Sequence, residues 1–107
     1  MKRYGQVLRL KPGNLEKYEK YHAEVWPSVI AAITESNIEN YSIFFKENWL
    51  FSYLEYTGND FDSDMQKMAE NKEVQRWWAL MMPMQQPLKS AAKGEWWATM
   101  KEVFHTE

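Results

Sequence analysis

Two strand patterns stand side by side in the middle of this chain, and a helical pattern lies outside each of them. Asn40 to Phe45 places Tyr41, Ile43 and Phe45 on one face, and Trp49 to Tyr56 alternates Phe51, Tyr53 and Glu55 against Leu50, Ser52, Leu54 and Tyr56. Only Lys46-Glu47-Asn48 separates them, so the pair forms a hairpin. Ahead of it, Leu15 to Glu35 has helical periodicity, preceded by Lys11-Pro12-Gly13-Asn14 with Asn14 as the expected N-cap. Pro27 falls inside this stretch and removes an intrahelical hydrogen bond, which predicts a kink or break beside Trp26. After the hairpin, Gly58-Asn59-Asp60 ends the strand and caps a second helix over Phe61 to Leu80. Arg3 to Leu10 reads as a first strand, Pro83 to Gly94 as a surface loop and Trp96 to Thr106 as a last strand.

Strand, helix, strand, strand, helix, strand is an α+β order. It predicts a ferredoxin-like βαββαβ domain, an antiparallel sheet with both helices on one face. A chain of 107 residues makes one such domain, spanning 1–107. The second face of that sheet has no helix to cover it. With six Trp, six Tyr and five Phe, the chain has too much aromatic surface to leave that face in water. Two copies pressed sheet to sheet solve the problem, so a homodimer is expected.

Charge and cysteine content exclude several functions. The net charge is −2 with no basic cluster, which argues against binding nucleic acid. There is no cysteine, hence no disulfide or thiolate chemistry and none of the common zinc or iron–sulfur frameworks; this composition suits the cytoplasm. The N-terminus lacks an apolar leader pattern, and no run is long enough to span a bilayer, so no membrane role is expected.

Chemistry is most concentrated around His22. Tyr18 and His22 are four residues apart and share a helix face with Leu15, Val25, Trp26, Val29 and Ile33. Such a histidine is either a satisfied core residue or an acid/base group in a pocket, and the chain has only two histidines. Tyr41 is an ordinary strand aromatic unless its face lies under the first helix, where its hydroxyl would reach the same space. Gln75-Arg76-Trp77-Trp78 places two indoles about 100° apart on the second helix, as core residues or as a pocket wall able to hold a sugar ring. Trp96 and Trp97 should alternate between faces of the last strand, and His105 reads as structural. A metal site from the two histidines with Glu24 or Glu102 fits no known spacing, so no metal is expected. The Met81-Met82-Pro83-Met84 run reads as packing at a helix end.

Tyr18, His22, Val25-Trp26-Pro27, Asn40-Tyr41, Gln75-Arg76-Trp77-Trp78 and Glu102-Val103-Phe104-His105 occur in an order and at intervals that closely resemble the L-rhamnose mutarotase family, nearly end to end. The resemblance implies a dimeric α/β-barrel that interconverts the α and β anomers of a free monosaccharide without a cofactor. It also implies His22 as the proton donor and Tyr18, Tyr41, Trp77 and Trp78 as sugar-binding residues. The chain departs from the family pattern with Ala23-Glu24 after the histidine, where Asn-Pro is common, and in the Pro83–Gly94 loop. L-fucose, another 6-deoxy-hexose, is the alternative substrate that the resemblance allows.

Mutarotation moves one proton off the anomeric hydroxyl and one onto the ring oxygen, then reverses both after the C1–C2 bond turns. A histidine can work in both directions near neutral pH. The tyrosines would bind sugar hydroxyls or relay a proton, and the indoles would hold the ring and its 6-methyl group. Two other classes share the expected fold: a small haem-degrading or quinone-forming monooxygenase, and a ligand-binding module.

Overall fold

A computed structural model describes residues 1–107. Its elements are β1 (Lys2–Leu10), α1 (Leu15–Ala23), α2 (Pro27–Glu35), β2 (Ile38–Lys46), β3 (Trp49–Tyr56), α3 (Phe61–Glu70), α4 (Lys72–Met81), a 3-10 turn at Met82–Met84, β4 (Gln85–Gln86) and β5 (Ala98–Met100). The sheet runs β2-β3-β1-β4, and β5 shares the outer edge of β1 with β4. All pairings are antiparallel. This is the ferredoxin-like arrangement read from the sequence, with each expected helix divided in two.

The hairpin is tighter than expected. Lys46 still pairs with Trp49, leaving Glu47 and Asn48 as a two-residue loop with φ of 49° and 65°. Positive φ at both loop positions matches the right-handed twist of the flanking strands.

The helix breaks have separate causes. Trp26 precedes Pro27 and is held extended at ψ 135°, so α1 stops and Pro27 becomes the first residue of α2. Asn71 ends α3 with ψ 124°, and its side-chain oxygen accepts from the amides of Glu73 and Val74 to start α4. Asp60 caps α3 by accepting from the Ser63 amide. Asn14 makes no such cap; its amide donates back to the carbonyls of Lys11 and Pro12 and closes the preceding turn.

A bulge in β2 sets the geometry of the sheet. Glu39 pairs with Glu55 and Ser42 with Tyr53, so three steps on β2 match two on β3, with Asn40 in the left-handed region at φ 46°. Strand side chains alternate faces, so one extra residue inverts the order beyond it. Ile38 opposite Tyr56, Ile43 opposite Ser52 and Phe45 opposite Leu50 therefore all face the helices. Leu8, Leu10, Leu50, Tyr18, Val29, Trp77, Met81 and Met84 form the main core beneath them. A smaller cluster of Ile38, Leu54 and Tyr56 packs with Tyr4, Phe61, Met65 and Met68.

The opposite face carries one apolar row, Ala98, Val7, Phe51 and Phe44, lined up by register across four strands. Phe44 is 63% exposed there. Gly5, Tyr53 and Met100 flank the row on one side, with Arg3 and Glu55 beyond them, and Arg9 and Trp49 flank it on the other.

The C-terminal stretch departs most from expectation. Only Ala98–Met100 is strand, and residues 101–107 continue without regular structure. Trp96 and Trp97 lie ahead of the strand and both pack against the main core, so the alternation expected of them does not apply. Arg3 grips Glu102 through Nε and Nη2 at 3.1 and 2.8 Å, while Val103 and Phe104 remain exposed. His105 lies in this exposed tail.

Candidate active site

Helix α1 and the hairpin strands face each other across an open cleft of about 510 Å³. Leu15, Tyr18, Glu19 and His22 line it from α1, and Ile43, Phe44, Phe45 and Leu50 from the strands. The wall is largely apolar, with few polar groups, as small-molecule sites tend to be.

The four-residue spacing read from the sequence puts the Tyr18 and His22 rings together, with centroids 4.3 Å apart. His22 Nδ1 sits 2.8 Å from the Tyr18 carbonyl oxygen. A carbonyl only accepts, so Nδ1 carries the hydrogen. In the neutral ring the lone pair is then on Nε2, the one ring nitrogen available for proton exchange. Helix α4 supplies the neighbouring wall: the Trp77 ring stands edge-on to His22 at 5.4 Å and to Trp26 at 5.3 Å. Arg76 lies over the outer side of this aromatic group, 5.6 Å from the Trp26 ring, and is held by Glu73 at 2.7 Å.

The hydroxyls are the second feature. Tyr18 is 5% exposed, and burial raises its pKa, partly offset by a hydrogen bond from Gln85. Tyr41 keeps 38% of its surface exposed, yet its hydroxyl lies in crowded surroundings: burial first, then the neighbouring Tyr18, push its pKa up to about 12. Two positions before Ile43, Tyr41 shares by alternation the strand face of Ile43 and Phe45, the face that periodicity left open. Both phenols are neutral donors at physiological pH, not bases.

Three of the five residues singled out in the sequence therefore stand ring to ring, Tyr18, His22 and Trp77, and Tyr41 lies on the strand face that borders the cleft. Trp78 packs against the main core cluster with Trp26 and Trp96, and Trp77 alone of the pair stands edge-on to His22. Gln85 is a residue that sequence reasoning passed over. It lies in the stretch assigned to a loop, buried at 6% exposure, and its Nε2 donates to the Tyr18 hydroxyl at 3.0 Å.

The chain is similar to known proteins over its whole length. The L-rhamnose mutarotase of Oceanobacillus iheyensis is 34% identical over 110 residues, covering all of both chains. That of Listeria monocytogenes is 36% identical over 108 residues, covering 98% of each. The crystal structure of L-rhamnose mutarotase from Formosa agariphila superimposes with a TM-score of 0.79 at 25% identity over the full length of both chains. A polyketide cyclase of Streptomyces glaucescens shares the fold alone, with a TM-score of 0.70 at 16% identity. With a sequence model of the family matching residues 3–106 as well, the chain built around this histidine cleft belongs to the L-rhamnose mutarotase family.

Proposed function

We propose that this chain interconverts the α and β anomers of L-rhamnose, with His22 as the proton-transfer group. The observation that carries this reading is the fixed tautomer of His22: the Tyr18 carbonyl holds Nδ1–H, and Nε2 is left for chemistry beside an aromatic cleft. The anomeric oxygen O1 and the ring oxygen O5 are both bonded to C1, so one nitrogen can serve both. Nε2 takes the proton from O1 while the C1–O5 bond breaks, and the imidazolium returns a proton to O5. This gives the open aldehyde. Rotation about C1–C2 turns the other carbonyl face toward O5. In the reverse step Nε2 takes the O5 proton as O5 adds to C1, and the proton returns to O1. Atoms and charge balance, and a positioned acid/base group contributes on the order of a hundred- to ten-thousand-fold.

Tyr18 and Tyr41, held neutral by burial, donate to sugar hydroxyls. Trp77, with Trp78 behind it, supplies aromatic surface for the ring and its 6-methyl group. L-fucose is the alternative substrate on the same machinery.

The working unit is a homodimer. The apolar row Ala98–Val7–Phe51–Phe44, widened by Tyr53 and Met100 and bounded by Arg9 on one side and by Arg3 and Glu55 on the other, suits a self-complementary contact with a dry centre and a polar edge. No helix is long and apolar enough to cross a membrane. The cysteine-free sequence is compatible with the cytoplasm, where we place the protein.

Saturation-transfer NMR on L-rhamnose tests the reading. Catalytic protein should accelerate exchange between the α and β H1 signals, and His22→Ala should remove the acceleration. Exchange no faster than in buffer, or undiminished in the variant, would overturn it.

A further inference from the structure

We propose that Gln85 is a positioning residue that commits the Tyr18 O–H proton to the sugar cleft, with Trp96 fixing the direction of the Gln85 amide. This rests on the reading of Tyr18 as a sugar-binding donor and deepens it.

The argument follows hydrogen-bond polarity. The Trp96 indole N–H can only donate, and it lies 2.9 Å from Gln85 Oε1. The amide orientation follows, because the reverse would set two donors against each other. Nε2 must then face Tyr18, whose hydroxyl oxygen is 3.0 Å away. A hydroxyl oxygen that accepts from Nε2 cannot send its own proton back along the same line. The Tyr18 proton is turned away from Gln85, toward the side on which Tyr18 lines the cleft. Trp96 to Gln85 to Tyr18 is thus a one-way relay of donors, and each bond polarises the next.

The position of Gln85 is built with care. Gln85 pairs with Leu10 at the end of β1, and the Lys11 amide donates to the Met84 carbonyl at 2.8 Å. A buried amide is costly unless both ends are bonded, so an apolar residue would be the simpler occupant of this core site. Tyr18 comes from a distant part of the chain, 67 positions before Gln85, while Trp96 follows Gln85 by 11. Only the fold brings them together.

Gln85→Glu tests the polarity directly. The carboxylate keeps the shape and still accepts from Trp96, but it draws the Tyr18 proton to itself and away from the cleft. L-rhamnose exchange, read by saturation transfer, should fall on the order of tenfold, about as far as in Tyr18→Phe. In the Tyr18→Phe background, Gln85→Glu should cause no further loss. The titratable groups facing this position are Tyr18 and, beyond it, His22 and Tyr41. The variant is therefore compared with wild type at each pH, which cancels the titration of His22. The ratio should recover toward acid pH, where the introduced carboxyl group takes up a proton and donates again. Should the buried carboxylate prevent folding, Trp96→Phe releases the amide to turn over, and it should slow exchange without lowering it below Tyr18→Phe. Normal exchange in folded Gln85→Glu or Trp96→Phe, or losses that add to that of Tyr18→Phe, would overturn the relay while leaving Tyr18 in its role. Normal exchange in Tyr18→Phe itself would remove Tyr18 from sugar binding and the relay with it.

Discussion

The Nδ1 atom of His22 lies 2.8 Å from the carbonyl oxygen of Tyr18, one helical turn earlier on the same helix. The turn that supplies the ring thus also sets its tautomer, with no carboxylate partner in between. His22→Asn offers the sharpest check, because its amide can keep the bond to the Tyr18 carbonyl but cannot titrate. It should fold as wild type and lose about two to four orders of magnitude in catalysed exchange. Retained exchange in a folded His22→Asn protein would count against proton transfer by this ring.

Trp77 is 6% exposed and edge-on to His22, Trp26 and Tyr21, so its proposed binding role can be separated from its packing. Trp77→Ala should lower unfolding free energy by about 3–5 kcal/mol, the usual range for aromatic truncation in a core. Trp77→Phe should retain most of that stability but bind sugar less well. Chemical denaturation and sugar titration separate the two effects; equal binding by Trp77→Phe and wild type would leave Trp77 a core residue only.

The uncovered face predicts the state of association. Phe51→Glu puts a charge in the middle of the apolar row, beside Val7 and Phe44. Light scattering at micromolar concentration should give a dimeric mass for the wild type and a monomeric mass for the variant. A monomeric wild type would leave that row without its proposed partner.

Acid stability should show the contact between Tyr56 and Asp64. The Tyr56 hydroxyl donates to the Asp64 carboxylate, and with Asn37 it holds the carboxyl below its ordinary 3.8. A depressed folded-state pKa gives stability that is present above 3.8 and is lost as pH falls through the folded value. Tyr56→Phe should therefore be less stable than wild type at neutral pH, and the gap should narrow below pH 3.8. Thermal melts across that range would show it; a gap independent of pH would mean that the carboxylate is not what the hydroxyl stabilises.

Substrate choice follows from the cleft wall. Ile43, Phe45, Leu50 and Leu15 present carbon surface. Burying the extra C6 hydroxyl of L-mannose against such a wall costs about 1–3 kcal/mol, roughly five- to 150-fold. L-rhamnose should exchange faster than L-mannose by a factor in that range, and equal rates would mean that the methyl group is not read.

What could be read from the sequence, and what could not, follows from the range of each signal. The strands that carry a two-residue alternation, Arg3–Leu10 and Trp49–Tyr56, fell within a residue of their observed bounds. Tyr18 and His22 were visible because helical spacing is local. Gln85–Gln86 is too short to have a period, and it is strand only because β1 lies beside it. The second helix hid its break because Asn71 is unremarkable until its side chain is seen to accept from two amides ahead. Trp96 could not be placed by alternation, since its partner is a buried glutamine and not a strand neighbour.

The bulge at Asn40 makes one parity serve two surfaces. By pairing register, odd-numbered residues of β2 from Tyr41 onward share the helix-side face and even-numbered ones the uncovered face, so Ile43 and Phe45 belong to one surface and Phe44, although the cleft also reaches it, to the other. A one-residue slip in the pairing of β2 beyond Ser42 would leave Ile38 in place but exchange the two sets beyond it. The cleft would lose its floor and the outer face its phenylalanine in the same event. In this strand the chemistry and the association of subunits are written in one reading frame and can drift only together.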